Sequence, residues 1–292
     1  METPMLKQVK LISTAEKINM DGHLILQALP IHEMEEADPI LLIHHWKSMI
    51  PPESRIRELG VGPHPHRGFS PVTFMFDGSI EHRDSRGNQG IVGAGGTQWM
   101  HAGMGIMHSE RPPRDLAEKG GMMELLQFWV NVPSNQKMIQ PYYQNLDRQA
   151  TPVIRSEAGH LELLVVAGNV AEISGPARTL SAITALQIWS AAPDQVEFSV
   201  PSGHQLLFYA LDGLYKVNGK IIGPTQVARL SIDGEMIDIE ALEKGKAVLV
   251  GGKPIGEPVN KYGPFVMTNQ TEVLEAMRDY QMGKMGILIE EF

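Results

Sequence analysis

Short runs in which apolar residues alternate with others recur along the chain, and glycine or proline turns separate them. Around Val72, Phe74 and Phe76 the alternation is followed at once by the turn Asp77-Gly78. Side chains of a β-strand point alternately to its two faces, so the pattern predicts a half-buried strand. Similar patterns lie at 125–132, 161–168, 205–211 and 247–251. Many short strands between tight turns favour an all-β sandwich or small barrel.

Two pairs of metal-binding residue types stand at a spacing of two residues: His64 with His66, and His108 with Glu110. In an extended strand, residues two apart project to the same face. Two neighbouring strands that each carry one pair would therefore bring three imidazoles and one carboxylate together. The sequence predicts a metal site built from these four side chains.

Apolar residues near the two pairs are expected to belong mostly to the core, and those that line the site would form the wall of a pocket. If the strand from 64 to 76 is regular, Val72, Phe74 and Phe76 share a face with the first two histidines, whereas a bulge near Gly68 or Pro71 would break that parity. A largely apolar wall favours a flat organic substrate over a small polar one. The candidates for this wall are Phe69, Phe74, Met75, Trp99, Met100, Met104, Met107 and Phe128.

The donor set limits the kind of metal site. Three neutral imidazoles and one carboxylate leave open positions on a first-row metal and resemble the two-histidine, one-carboxylate sites of non-haem Fe(II) oxygenases. The chain contains no cysteine, which excludes disulfides, thiolate-bound zinc and iron–sulfur clusters. His82 and His101 lie between the pairs. We expect them in a surface or core role, with an orienting hydrogen bond to a ligand as the alternative.

Charge and hydropathy restrict the partners. A net charge of -9 argues against direct nucleic-acid binding, which needs a basic face. The first 20 residues lack the continuous apolar core of a signal peptide. The uncharged stretch 179–193 is interrupted by Ser and Thr and is shorter than the roughly 20 apolar residues that span a bilayer. We therefore expect a cytoplasmic protein without a membrane or nucleic-acid partner.

The polar stretch 144–152 predicts a linker between two domains, 1–143 and 153–292. The two parts resemble each other faintly, since the strand and turn at 74–78 recur at 209–213. At that offset, His64 and His66 correspond to Ser199 and Pro201. Only the first domain is therefore expected to bind metal.

One helix has clear end signals. Asn269 is a candidate N-cap, Glu272 follows three residues later, and Gly283 stands at the expected C-terminal end. A short helical piece is expected near 114–119.

Longer strings around the ligand pairs resemble the signature of the pirin family, within the cupin superfamily. The strings are His64-Pro65-His66-Arg67-Gly68-Phe69, Gln98-Trp99-Met100, Ala102-Gly103-x-Gly105-Ile106, His108-Ser109-Glu110, Phe128-Trp129-Val130-Asn131 and Tyr262-Gly263-Pro264-Phe265-Val266-Met267. They extend the resemblance over essentially the whole chain. The chain departs from the family pattern at Ser70-Pro71, at 94–96 and at His101, and none of these departures removes a ligand.

The resemblance implies a fold and a ligand set. The fold would be all-β, with two tandem cupin barrels of the jelly-roll type and a C-terminal helix. By motif position, the family's metal ligands fall on His64, His66, His108 and Glu110. We expect one divalent metal in the N-terminal domain, Fe(II) first, with other first-row metals as alternatives.

The resemblance leaves two main functions open. The first, which we prefer, is an Fe(II)-dependent dioxygenase on quercetin-like flavonols, with dioxygen as co-substrate and Glu110 as the base that takes a substrate proton. The second is a binding module whose metal oxidation state is read by a regulatory protein, as in the family's transcriptional coregulators, with a nuclear location if the host is a eukaryote. Another cupin chemistry with a different metal, such as isomerisation or decarboxylation, is a third alternative.

Overall fold

Antiparallel strands dominate the computed structural model, which describes residues 5–20 and 22–290. Two α-helices occur within these residues, and neither is long and apolar enough to cross a membrane. The expected fold, all-β with two jelly-roll barrels and a C-terminal helix, is confirmed.

The strands of the first half of the chain are β1 (Val9–Thr14), β2 (Glu16–Met20), β3 (His23–Leu29), β4 (Ile40–Ile50), β5 (Val61–His66), β6 (Phe69–Asp77), β7 (Ser79–Asp84), β8 (Gln89–Gly93), β9 (Thr97–His101), β10 (Ile106–Arg111), β11 (Gly121–Asn131) and β12 (Tyr142–Leu146). Those of the second half are β13 (Val153–Arg155), β14 (Leu161–Ala167), β15 (Asn169–Val170), β16 (Ile173–Ser174), β17 (Ile183–Ser190), β18 (Asp194–Ser199), β19 (Gln205–Asp212), β20 (Tyr215–Val217), β21 (Lys220–Ile222), β22 (Gln226–Leu230), β23 (Met236–Ala241), β24 (Gly245–Gly252), β25 (Asn260–Tyr262) and β26 (Phe265–Met267). The helices are α1 (Arg114–Lys119) and α2 (Gln270–Gln281).

Each of the two structural units combines segments that are distant in sequence. The first contains the chain up to His45 and Gln149–Pro254, and the second contains Trp46–Arg148 and the chain from Ile255 onward. The predicted contiguous domains 1–143 and 153–292 differ from this division at both termini. For β1 (Val9–Thr14), strand pairing explains the difference, because β1 pairs antiparallel with β22. The boundary after Arg148 lies within the predicted linker, whose first residues belong to β12.

The first unit has an apolar interior. Its sheets have the strand orders β1-β22-β19-β24-β17-β14-β13 and β18-β23-β20-β21. Buried side chains from both sheets, such as Leu163, Phe208 and Ile239, form one hydrophobic core. Burial of such side chains is the main stabilising contribution to a barrel of this kind.

The second unit has polar residues between its sheets. One sheet has the order β5-β10-β7-β8, and the other includes β12-β9-β6-β11 in that order. The Thr73 hydroxyl of β6 donates to Glu110 of β10 over 3.0 Å, which links the two sheets. The candidate metal ligands lie on the first of these sheets.

Gly68 separates β5 from β6 and changes the direction of the following side chains. Its φ is +85°, and a Cβ at this position would lie 2.1 Å from the Val266 carbonyl oxygen, so the turn requires glycine. Beyond it, Thr73 reaches the site, whereas Phe74 packs against Phe128 with ring centroids 5.0 Å apart. The regular-strand alternative is therefore wrong, and the parity breaks near Gly68.

Helix α2 begins and ends where the sequence predicts. The Asn269 side chain accepts from the Glu272 backbone N–H over 3.0 Å, and the Glu272 carboxylate accepts from the Thr268 backbone N–H. Gly283 follows the helix with a φ of +72°, the left-handed conformation common after helix C-termini. Helix α1 also lies at the predicted residues.

The segment 264–290, called here the C-terminal segment, packs onto the metal-site unit. Its apolar side chains Phe265, Ala276 and Met285 form a buried cluster with Met107 of β10. The Arg67 guanidinium donates to the Asp279 carboxylate over 3.1 Å with both terminal nitrogens. The residue after His66 is thus held by a helix that lies far away in sequence.

A buried lysine joins the C-terminal segment to β6 and β11. The Lys137 ammonium donates to the Gly68 carbonyl over 2.8 Å, to the Asn131 side chain over 2.7 Å and to the Val266 carbonyl over 3.3 Å. Lys137→Met should lower the free energy of unfolding by about 2–4 kcal/mol, because these buried acceptors lose their donor. Chemical denaturation of both proteins measures the loss.

The same lysine predicts a pH dependence. Burial lowers the pKa of Lys137 from 10.5 to about 8, so between these values the unfolded chain holds a proton that the native state has released. Stability from this group must then rise with pH, and the gap between wild type and Lys137→Met should widen by up to roughly 3 kcal/mol between pH 8 and 10.5. A gap that stays constant or narrows over this range would contradict the assignment.

Candidate metal centre

Strands β5 and β10 bring three of the four predicted ligands together. The two strands pair antiparallel with His64 opposite His108, and Ile106 opposite His66. Ring centroids lie 4.8 Å apart for His64 and His66, 4.3 Å for His64 and His108, and 4.9 Å for His66 and His108. The ligand nitrogens all lie within 4.8 Å of one another, and this is the only group of three such ligand atoms in the part of the chain that the structure describes.

Hydrogen bonds to the backbone hold the rings of His64 and His66, through one nitrogen of each ring. Nδ1 of His64 donates to the Gly62 carbonyl over 2.8 Å. His66 bonds to the backbone of Pro264, which can only accept because proline has no N–H. Such contacts orient imidazole ligands and fix the tautomer.

Two ring nitrogens show that the pocket fits a metal ion. Nδ1 of His66 and Nε2 of His108 are buried, and neither has a hydrogen-bond partner within residues 5–20 and 22–290. A buried polar atom without a partner is costly. A divalent ion among the three rings would provide the missing interaction, because a neutral imidazole nitrogen is a common metal ligand.

The electrostatics of the pocket keep the rings in their ligating form. Burial lowers the pKa of His66 well below 6.5, and the neighbouring His64 lowers it further. Burial likewise lowers the pKa of His108, with added repulsion from His64, His66 and His82. Both rings are therefore neutral at pH 7, the form that binds metals.

Glu110 lies two residues beyond His108 on β10, and its carboxylate is held by neutral donors. It accepts from the Thr73 hydroxyl over 3.0 Å and from the Gln127 amide over 2.7 Å. It does not belong to the group of three rings defined above, so its role as fourth ligand stays a prediction. The β-bulge between His108 and Glu110, where β10 pairs with β5, accompanies this displacement.

Thr73 and Gln127 were not predicted as site residues. They lie opposite each other on β6 and β11, and Gln127 also accepts from the Trp129 indole N–H over 3.4 Å. The signal available in the sequence was the alternation at 125–132, which places Gln127 and Trp129 on one face.

His82 lies beside the three rings and contacts His108, the contact that the alternative for this residue requires. Its Nδ1 is 3.3 Å from Nδ1 of His108, and its Nε2 is 3.1 Å from the Asp84 carboxylate. The ring of Tyr143 stacks on it, with centroids 4.0 Å apart and planes 3° apart. His101 instead contacts the Ser70 hydroxyl over 3.1 Å.

Asp84 is itself held by several donors. It accepts from the backbone N–H groups of Arg86 and Asn88 and from the Asn88 amide. Burial opposes ionisation, but the bonds from His82, Asn88 and Arg86 outweigh it and lower the pKa of Asp84. Asp84 is therefore a carboxylate at pH 7.

Part of the predicted apolar wall borders the centre. The ring centroid of Phe69 lies 5.1 Å from that of His66 and 4.3 Å from that of Trp129. The ring centroids of Trp129 and His66 are 5.5 Å apart. Trp129 and Gln127 keep partial solvent exposure. Other members of the predicted wall, including Trp99 and Phe128, pack against each other.

Comparison with known proteins gives a consistent result. The Pirin family model matches residues 22–130, and the model described as the Pirin C-terminal cupin domain matches residues 186–286. Pirin-like protein 2 of Arabidopsis thaliana is 34% identical over 281 residues, 93% of this chain and 83% of the relative. A crystal structure of quercetin 2,3-dioxygenase from Acinetobacter baumannii has a TM-score of 0.90 at 32% identity and covers 98% of this chain and 100% of the other.

A more distant structure shares the fold. A bacterial pirin from Escherichia coli, solved in complex with nickel(II), has a TM-score of 0.61 at 18% identity and covers 84% of this chain and 100% of the other.

Proposed function

The chain belongs to the pirin family, and on that premise we propose that it is an Fe(II)-dependent dioxygenase that acts on flavonols such as quercetin. The observation that carries the proposal is the group of three imidazoles, of which His66 and His108 are buried and have unpartnered nitrogens. The Glu110 carboxylate lies on the same strand as His108 and is held by two donors. The quercetin 2,3-dioxygenase from Acinetobacter baumannii, whose structure resembles this one over its full length, supports the choice of substrate class.

In this proposal His64, His66, His108 and Glu110 hold one metal ion. Bound iron would polarise the substrate oxygens and supply the redox chemistry toward dioxygen. Nitrogen and carboxylate ligands suit several first-row metals, and the E. coli pirin was solved with nickel(II), so the metal is part of what must be tested.

Glu110 is proposed to take the proton of the substrate hydroxyl. A carboxylate offers about four lone-pair positions, and the donors Thr73 and Gln127 occupy one on each oxygen. The remaining positions are available to a metal ion and to a substrate proton. Because the two neutral donors fix the carboxylate, its orientation need not change when the proton arrives, which favours general-base catalysis.

Trp129, which is partly exposed and packs on the buried ring of Phe69, is proposed to bind the flat rings of the substrate. The rings of Trp129 and Phe69 lie 4.3 Å apart, tilted by 35°, next to the ring of His66. Aromatic side chains contribute apolar contact area and stacking to planar ligands.

We also propose that the protein is located in the cytoplasm.

Oxygen consumption tests the proposal. Iron-loaded protein should consume about one dioxygen per quercetin, while chelated protein and a flavone without the 3-hydroxyl group should give only background uptake, since the proton that Glu110 accepts is missing from that compound. Protein loaded with nickel, manganese or copper in parallel identifies the active metal.

No uptake with any of these metals, on protein shown to bind one metal ion, would overturn the dioxygenase proposal. It would favour the binding module that the family's coregulators represent, which a comparison of captured proteins under ferrous and ferric conditions would then examine.

A further inference from the structure

Three side chains next to the candidate metal centre are connected by hydrogen bonds: His108 contacts His82, and His82 contacts Asp84. His82 and Asp84 lie on β7, beside β10, with Asp84 opposite His108 and His82 opposite Glu110. All four residues therefore share one face of this sheet. The other two imidazoles are oriented by backbone carbonyls, whereas His108 is oriented by a side chain.

The hydrogen bonds of Asp84 determine which nitrogen of His82 carries the proton. Four N–H groups surround the Asp84 carboxyl: the His82 ring, the Asn88 amide and the backbone of Arg86 and Asn88. A carboxylate only accepts, so His82 donates through Nε2. In a neutral imidazole the other nitrogen, Nδ1, is then an acceptor.

That acceptor fixes the tautomer of His108. A hydrogen bond between the two Nδ1 atoms, 3.3 Å apart, needs one proton, and His108 must supply it. The remaining ring nitrogen of His108, Nε2, then has a free lone pair. This is the buried nitrogen for which residues 5–20 and 22–290 provide no hydrogen-bond partner, so no group of the described chain competes with a metal ion for that lone pair.

We infer that His82 is a positioning residue which, held by Asp84, keeps His108 in the tautomer that presents Nε2 to the metal. The inference rests on the proposed metal site and adds to it the residues that prepare one ligand before the metal arrives. Tyr143 contributes by stacking on the His82 ring and thereby restricting its rotation.

Two substitutions of His82 distinguish a role in positioning His108 from a role in packing alone. His82→Gln offers an acceptor toward His108 and a donor toward Asp84 on one planar group, but no aromatic ring. His82→Phe retains a ring that can stack on Tyr143 and removes both hydrogen bonds. Tyr143→Phe, which keeps the stacking ring, is the control.

Metal affinity is measured by competition with a chelator, using Fe(II) without oxygen and Ni(II). We expect His82→Phe to weaken binding 10–100-fold, the usual effect of losing such a partner, and His82→Gln to remain within a few-fold of wild type, as should Tyr143→Phe. The reverse order, or no loss in either variant, would overturn the inference.

Nitrogen-15 NMR of the metal-free protein provides a readout that is independent of metal and activity. The proton of His108 should lie on Nδ1 in wild type and redistribute in His82→Phe. A proton on Nε2 in wild type would overturn the inference. If His82→Gln and His82→Phe both bind metal weakly, the NMR result decides. An altered His108 tautomer in both variants supports the inference, and an unchanged tautomer refutes it. If the tautomer and affinities follow the expected order without oxygen uptake, the proposed function fails and the role of His82 stands.

Discussion

Replacing His66 with alanine should reduce metal affinity by at least about 100-fold and bring quercetin-dependent oxygen uptake to background. His66 is one of three imidazoles in the centre, and its Nδ1 has no other partner among the described residues. Loss of a residue that merely supports a ligand costs 10–100-fold, so loss of a ligand should cost more. The remaining two rings cannot replace it, because His64 and His108 are fixed by their own hydrogen bonds.

Metal content per chain, measured after loading and gel filtration, tests this expectation together with oxygen uptake. His44→Ala is the control: His44 is also a partly buried, hydrogen-bonded histidine, but its partner is Gln27 on β3. The metal-free variants should have similar melting temperatures. A His66→Ala protein that retains one metal ion per chain would show that the three rings are not the metal site.

Glu110→Gln should lower kcat for quercetin by about 10²–10⁴-fold, the range for loss of a general base, while metal content falls much less. The three imidazoles remain and the amide oxygen still offers a neutral donor to the ion, whereas His66→Ala removes a donor altogether. The new amide oxygen can accept from Thr73, as one carboxylate oxygen does over 3.0 Å in the wild type. It cannot take up a substrate proton at neutral pH.

Turnover and metal content must be measured on the same preparation, so that a loss of turnover is not attributed to a loss of metal. Glu81→Gln is the matched control, because Glu81 lies on β7, next to β10, where its carboxylate forms an ion pair with Arg83 and accepts from the Gln89 amide. If Glu110→Gln keeps more than a tenth of the wild-type kcat with full metal content, Glu110 is not the base.

The features that the sequence predicts well depend on neighbours in the chain. The cap of α2 is a contact between Asn269 and Glu272, and the position of His64 and His66 on one face needs only the two-residue repeat of a strand. The all-β class follows from the same repeat. Signals of this kind involve residues only a few positions apart. They can therefore be recognised in the sequence without knowing which distant strands pair.

The features that the sequence did not predict depend on pairing between distant strands. Gln127 reaches Glu110 because β11 lies beside β6 and faces β10, and His82 reaches His108 because β7 pairs with β10. The assignment of β1 to the unit that contains β22 also depends on pairing between strands that are distant in sequence. No local pattern distinguishes His82 from His101, yet His82 contacts the predicted ligand His108 and His101 contacts Ser70.

The bonds from the C-terminal segment to His66 and Arg67 have a consequence for protein synthesis. The ribosome produces all three imidazoles well before Pro264 and Asp279, the residues that hold this part of β5. At 5–20 residues per second, the interval between His108 and Asp279 is roughly 10–35 s. During that time a nascent chain has its metal-binding side chains without their final support. We therefore expect selective binding of the proposed metal ion only after the C-terminal segment has been synthesised and has packed against His66 and Arg67.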